Sequence, residues 1–384
     1  MRRRRTSTPL LVAGALALAC GAVAWALDPR EGSGEGARAA AGGSQRGGIE
    51  TVPSAGGVIL VKTPPSAAPS DLPTMHRLLG FGGDPVLAGK DAPAALATVV
   101  SRNDEPTARL LLESGADPDD GGRSPLEQAV RSGTKDMVEL LLRHGADPAV
   151  VSREGQPMLP LAAALGRVDV TTALLDAGVD VDTQLASPVS EEFIALVPGK
   201  YARYYLTKDQ GLTPLMIAVL RGDLELARLL LKRGASLGPT RVQVKYPLGM
   251  AADRHDVPMM QVLLGRDPEE AARTRRIVIS IRDQHATLYE HGQPTFQTRV
   301  STGRKGYPTP HGEYVITDKR RTWQSTLYDA EMPYFMRLSG SDIGLHEGVV
   351  PRGPASHGCI RLPAAAARNL YARMRPGDPV TIAP

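Results

Sequence analysis

The stretch ASHGCIRL, residues 355–362, holds Cys359, one of only two cysteines in the 384-residue chain; the other is Cys20. A thiol becomes a nucleophile when a base stands beside it, because an imidazole can lower its pKa from about 8.5 toward neutrality. Two histidines are near enough in sequence to serve. His357 stands two residues before Cys359, and His346 ends the strand-like run Gly344-Leu345-His346 upstream, from which a loop can return it to the sulfur. A free cysteine is also commonly a small buried hydrophobe. Against that stand its neighbours: Ser356, His357 and Gly358 are turn-forming and polar, unlike a core strand.

The compartment sharpens the argument. The sequence opens MRRRRTSTPLLVAGALALACGAVAWAL, a basic cluster followed by an apolar run from Leu10 to Leu27. That length lies between a signal-peptide core (about 7–15 residues) and a membrane span (about 17–25). Residues 1–27 are therefore read as either a cleaved signal, with Ala24-Trp25-Ala26 as the cleavage site, or an uncleaved anchor, and Cys20 as part of that segment. Both place the rest of the chain outside the cytoplasm, in the periplasm or cell envelope, where an idle thiol is a liability. Forty-five basic residues face 41 acidic ones, and Arg2 to Arg5 account for the whole excess. The body of the protein is thus electrically balanced, which argues against a nucleic-acid partner.

Residues 28–73 are rich in Gly, Ala, Pro and Ser and are expected to form a flexible tether, with GGVILVK (Gly56 to Lys62) as a short strand within it. A repeat follows. GGDP, GADP, GADP and GVDV begin at Gly82, Gly115, Gly145 and Gly178, and Asp84, Asp117, Asp147 and Asp180 recur at intervals of 33, 30 and 33. Leucine-rich runs such as ARLLLES and VELLLRH precede them, and openers such as SPLEQAV and TPLMIAV put Pro in a first helical turn after a capping Ser or Thr. This pattern resembles ankyrin repeats over 74–268, with Met216 of TPLMIA where the family usually has His. The resemblance implies an all-α solenoid of about five helix pairs and a protein partner bound on the repeats. Residues 183–210 interrupt the period and carry Phe193, Tyr201, Tyr204 and Tyr205. Those rings are read as packing back onto the repeats, the other reading being a contact loop.

From Arg275 the period changes to alternation. RIVISIR, ATLYEHGQPTFQTRV, HGEYVITDK, PYFMRL, IGLH and PVTIA read as strands, and PAAAARNLYARM as one helix. Within this segment LHEGVVPRGPASHGCIRL and VSTGRKGYPTPHGEY resemble the two landmarks of the L,D-transpeptidase (YkuD-like) family, with MPYFMRL before the histidine also in keeping. The resemblance covers 275–384 and implies a mostly β domain, β-sandwich-like with a short helix, following the solenoid. It also implies the site. Cys359 is the nucleophile and His346 the general base and acid, oriented by a backbone carbonyl, here that of Glu347. The backbone N–H groups around His357, Gly358 and Cys359 form the oxyanion hole, Ser356 shapes the loop, and Arg361 supports the loop or contacts a substrate carboxylate.

By that resemblance the chain is a peptidoglycan L,D-transpeptidase acting in cell-wall biogenesis. Its donor is a tetrapeptide stem containing a diamino acid, its acceptor an amine, and it needs no cofactor or metal. The remaining histidines show no ligand spacing. The same site with water as acceptor is an L,D-carboxypeptidase or endopeptidase, and the rival from another class is a non-catalytic ankyrin adaptor that binds peptidoglycan.

Overall fold

The computed structural model describes residues 49–54, 57–62, 92–119, 124–325 and 330–384. The apolar run at 10–27, the Gly82 and Asp84 repeat positions and most of 28–73 lie outside the described residues. Inside 28–73, strands β1 (Ile49–Ser54) and β2 (Gly57–Lys62) pair antiparallel, from Ile49↔Lys62 to Ser54↔Gly57. The expected strand in GGVILVK therefore has a partner, and this part of the segment is a hairpin rather than plain tether.

The helical region is a stack of antiparallel pairs: α1 (Ala92–Ser101) with α2 (Glu105–Glu113), α3 (Pro125–Ser132) with α4 (Lys135–Arg143), and α5 (Met158–Leu165) with α6 (Val168–Asp176). After the insertion come α9 (Pro214–Arg221) with α10 (Leu224–Lys232), and α11 (Pro247–Asp253) with α12 (Val257–Leu263). The openers behave as their chemistry dictates: the Ser124, Thr134 and Thr213 hydroxyls accept from the Glu127, Met137 and Met216 N–H groups. Past the second helices, Gly115, Gly145, Gly178 and Gly234 take φ values between +87° and +94°, which only glycine adopts without strain. Met216 is buried, so the position usually held by His serves packing here.

Arginines join neighbouring pairs. Arg167 donates to the Arg131 and Gly133 carbonyls, Arg221 to those of Ala164 and Leu196, and Arg254 to that of Leu220. Each guanidinium thus satisfies carbonyls left over at the end of an earlier helix. Aspartates join the connecting turns: Asp119 accepts from the Asp147 N–H and Asp182 from that of Ser236, each at 3.0 Å. In the insertion, α7 (Glu191–Ile194) and α8 (Lys200–Lys208) turn Phe193 and Tyr205 fully inward, and the Tyr205 hydroxyl donates to the Asp253 carboxylate. The expected back-packing holds for those two rings. Tyr204, by contrast, is 49% exposed.

Helix α13 (Pro268–Thr274) leads directly into β3 (Arg275–Ser280) of an eight-stranded sheet. The other strands are β4 (His285–Glu290), β5 (Gln293–Arg299), β6 (Gly312–Arg320), β7 (Phe335–Leu338), β8 (Gly344–Glu347), β9 (Ile360–Leu362) and β10 (Pro379–Ala383). Their order is β5-β4-β3-β10-β6-β7-β8-β9, antiparallel except for β10–β3 and β8–β9. Bridges Ser301↔Arg361 and Gly303↔Ser356 carry the segment after β5 onto β9, so the sheet's two ends meet in a barrel-like curl. Helix α14 (Ala364–Arg373) packs against β8.

The repeats and the sheet belong to one compact unit. Helix α12 packs on β6, whose Val315 side chain lies in the apolar core of the repeats. Gln261, 2% exposed, donates to the Gly377 carbonyl at 3.1 Å, and Arg266 lies 3.5 Å from Asp378. Replacing Gln261 with Leu leaves that buried carbonyl without its donor. The substitution is expected to lower stability by about 1–3 kcal/mol, read as a shift in the urea midpoint without a change in slope.

Candidate active site

Strand alternation builds the site. Met336, Leu338, Leu345, Ile360 and Leu362 are buried in the core of the β domain. Their neighbours on β7, β8 and β9 must therefore face the other way, and these are Phe335, Arg337, His346 and Arg361. The registers align them: Arg337 pairs with Gly344, and His346 with Arg361. Cys359 stands in the bend just before β9, near enough to the Gly344 backbone and to Arg361 for both to act on its thiol. Gly344 cannot be anything larger, since a Cβ there would lie 2.5 Å from both the Met336 carbonyl oxygen and the Phe335 ring.

His346 is 7% exposed, with its ring centroid 6.5 Å from that of Phe335. Its Nδ1 lies 2.7 Å from the Glu347 carbonyl oxygen. A carbonyl only accepts, so Nδ1 carries the hydrogen and Nε2 keeps a lone pair, the form a general base requires. Burial pushes the imidazole pKa down; the Glu347 hydrogen bond opposes this, and the Arg361 charge adds to it. Burial pushes the Cys359 thiol up, against the Gly344 hydrogen bond and the positive charges of Arg361 and Arg337, with Asp342 raising it further. Both groups are thus neutral at rest.

The loop carrying Cys359 is braced from beneath. Thr309 Oγ accepts from the Gly303 N–H at 2.8 Å and donates to the Gly358 carbonyl at 2.7 Å. The Thr302 carbonyl accepts from the Ala355 and Ser356 N–H groups, and Ser301 and Arg361 exchange a pair of main-chain hydrogen bonds at 3.0 Å each. The buried Gln284 amide in turn binds the Thr302 N–H and hydroxyl. Gly303 is obligatory, because a Cβ would fall 2.0 Å from the Tyr307 carbonyl oxygen. The S-T-G and T-P-x-G landmarks are therefore the mechanical support of the nucleophile loop. Ser356 completes it: its hydroxyl donates to the Cys359 carbonyl and accepts from the Gly358 N–H at 3.1 Å. Gly358 has φ of +114°.

Of the residues singled out from sequence, His346 and Arg361 pair across β8 and β9, Cys359 lies in the bend just before β9, and the Glu347 carbonyl stands against the His346 ring. His357 instead accepts at Nε2 from Arg304 at 2.6 Å and packs edge-on against Tyr307, with ring centroids 4.6 Å apart. That interaction occupies the lone pair a base would use. The Gly358 N–H, expected in the oxyanion hole, is committed to Ser356. Arg361 holds the loop through its backbone, and among the described residues its guanidinium forms no ion pair. The sequence reading passes over Gly344, Gln284, Thr309 and Arg337. The guanidinium of Arg337 lies over the Trp323 and Phe335 rings and pairs with Asp318 at 3.0 Å. Thr309 and Arg337 lie inside the quoted motifs, whereas Gln284 carries no local signal at all. Among the described residues, no group of three or more His, Cys, Asp or Glu is placed to hold a metal.

Comparison with known proteins divides the chain in the same two parts. Residues 274–382 match the family model of the L,D-transpeptidase catalytic domain. Residues 66–152 and 96–185 match a model of ankyrin repeats in three copies, and 210–240 match a single ankyrin repeat. Ankyrin repeat and SOCS box protein 16 of Mus musculus is 38% identical over 28% of this chain and 23% of its own length. Cyclin-dependent kinase 4 inhibitor B of Mus musculus is also 38% identical, over 25% of this chain and 76% of its own. Among solved structures, an L,D-transpeptidase from Mycobacterium tuberculosis H37Rv is 26% identical, with a TM-score of 0.27, over 29% of this chain and 58% of that one. The chain thus spans less than a quarter of the SOCS-box relative and 58% of that solved chain.

Two outcomes follow from the geometry. With the thiol raised and the imidazole lowered, the rate of iodoacetamide alkylation of Cys359 is expected to climb with pH through and beyond the ordinary thiol value of about 8.5. A plateau at neutral pH would instead mean a preformed thiolate–imidazolium pair. Thr309→Val is expected to lose about 1–3 kcal/mol for each main-chain group it orphans, with Thr309→Ser recovering most of the loss in denaturant titrations.

Proposed function

We propose, from the match of residues 274–382 to the L,D-transpeptidase catalytic-domain model with ankyrin repeats before them, that the chain is a peptidoglycan L,D-transpeptidase working through a Cys359 acyl-enzyme. The observation that supports this most is the parallel pairing that sets His346 opposite Arg361, two residues from Cys359, with His346 Nδ1 tied to the Glu347 carbonyl.

In the first half-reaction, His346 Nε2 takes the thiol proton as sulfur attacks the carbonyl of the diamino-acid residue in a donor stem tetrapeptide. Negative charge collects on the former carbonyl oxygen and is met by the main-chain N–H groups of Cys359 and His357. Collapse expels terminal D-Ala, to which His346 returns the proton, and leaves a thioester. In the second half-reaction His346 deprotonates an acceptor amine, which attacks the thioester; a new amide forms and the thiol is regenerated. A diamino-acid side chain or a lipoprotein amine fits this chemistry, and water in the same position gives L,D-carboxypeptidase activity. Burial of both groups suits general-base attack, since the proton moves only as the bond forms.

The proposal includes export to the cell envelope, by the basic cluster Arg2 to Arg5 and the apolar run 10–27, and a protein partner on the repeats. Incubation of the purified chain with a carbapenem, an acylator of this family, followed by intact-mass measurement is the direct test. A stoichiometric adduct is expected, absent in Cys359→Ala and formed about 10²–10⁴-fold more slowly in His346→Ala. A folded, reduced chain that forms no adduct would turn the reading toward a peptidoglycan-binding adaptor.

A further inference from the structure

The 183–210 insertion has an inner side and an outer side. Inward, Phe193 and Tyr205 are sealed in the core of the repeats. Outward, the insertion meets the turn that joins α10 to α11, and together they expose an unusual amount of apolar surface. Tyr204 is 49% exposed, and Val242, Val244 and Tyr246 on the turn are 50–58% exposed. The Tyr204 hydroxyl bonds to the Gln243 side chain, which lies between the two valines and ties the two segments together.

This surface is held in shape rather than left to collapse. Asp209, at the end of α8, is 4% exposed and spends its carboxylate on the turn, accepting from the Val242 and Gln243 N–H groups and the Thr240 hydroxyl. Val244 sits at φ +52°, a conformation that β-branched residues rarely adopt, so the turn keeps its valine outward at a conformational cost. Beside it lies a cavity of about 420 Å³ lined by Lys200, Tyr201, Tyr204, Tyr205, Lys245 and Asp253. Its one carboxylate is already engaged by the Tyr205 hydroxyl and by Lys245 at 3.6 Å. Lys200, its ammonium 4.8 Å over the Tyr201 ring, and Lys208 are exposed on α8 and Arg241 is exposed on the turn, while Glu191 is paired with Arg203 at 2.8 Å.

We propose that this face, formed by the insertion and the 240–246 turn, docks an acidic linear segment of a partner protein. A large apolar side chain of the segment enters the cavity beside Tyr201 and Tyr204, and its carboxylates meet Lys200, which forms no ion pair among the described residues. Charge complementarity selects the occupant: an aromatic and aliphatic patch beside Lys200, Lys208 and Arg241, none of them in an ion pair among the described residues, fits an acidic, hydrophobically anchored peptide. This surface does not use Cys359 and stands whether or not the catalytic reading holds.

The test is selection of a random twelve-residue peptide library displayed on phage against the full chain, with synthesis of the selected peptides and titration by fluorescence anisotropy. The expected peptides pair Asp or Glu with Leu, Phe or Tyr. They should weaken about tenfold or more with Lys200→Glu and with Tyr204→Ser, weaken as salt rises, and bind Cys359→Ala unchanged. Both substituted side chains are exposed, and circular dichroism checks that the fold is kept; Val242→Ser gives a second apolar probe away from the lysines. Recovery of no peptide, a selected set without acidic residues, or affinity indifferent to all three surface substitutions would overturn the proposal. So would self-association in sedimentation velocity that Tyr204→Ser abolishes, because the occupant would then be a second copy of the chain.

Discussion

Reactivity in this domain depends on one short parallel pairing. β8 and β9 share three register pairs, Leu345↔Ile360, His346↔Arg361 and Glu347↔Leu362. Because side chains alternate along a strand, a slip of one residue would turn His346 into the apolar core and bring a leucine out. Several contacts oppose that slip. The Phe335 ring and the Met336 carbonyl leave room only for glycine opposite Arg337, which pins β8. Reciprocal Ser301–Arg361 bonds pin β9 from its other edge. Three residues of β9 would be a weak ladder alone; clamped on both sides, they hold Arg361 opposite His346 and fix where the Cys359 bend begins.

The electrostatics of that surface then decide how the pair works. Burial opposes charge on both partners, and Arg361 acts on both: its charge favours the thiolate and disfavours the imidazolium. A preformed ion pair would need an imidazole more basic than the thiol, and the shifts run the other way. Both shifts favour the neutral forms, thiol and imidazole. This also explains why the Glu347 carbonyl matters. A neutral imidazole has two tautomers, and the hydrogen bond at Nδ1 selects the one with an open Nε2.

The repeat period, the capping residues and the change to alternation at Arg275 were legible in the sequence because each is a local rule. The same is true of the pairing between the Cys359 motif and the His346 strand, once both lay in one domain. What stayed hidden were functions set by distant neighbours. Gly344 reads as an ordinary strand glycine until the Phe335 ring is seen against it. Gln284 reads as a turn residue until its amide is found holding Thr302. The side chain of His357, one of two histidines near enough in sequence to serve as base, is engaged by Arg304, a contact 53 residues apart along the chain. The insertion divided for the same reason, since nothing local tells Tyr204 from Tyr205, yet one ring lies in solvent and the other in the core.

The junction between the two halves raises a further physical question, whether polar contacts or packing hold it. Asp378 is fully buried near Arg266 and Arg275, at 3.5 and 4.0 Å, and its Oδ1 makes no hydrogen bond. Burial raises its pKa, against the Arg375 N–H and the nearby guanidinium charges. A carboxyl raised above its unfolded value of about 3.9 contributes stability that is fully present below that value and is lost as pH rises through the folded one. Near neutral pH this aspartate therefore adds little net stability, as is common for buried ion pairs with imperfect geometry. What remains is apolar: Val315, on β6 of the eight-stranded sheet, completes the core of the repeats beneath α12. A valine so placed contributes about 1.5–3 kcal/mol on burial and carries no pH dependence. The last repeat is thus structurally continuous with the β domain, with the polar contacts fixing its orientation and the apolar ones its attachment.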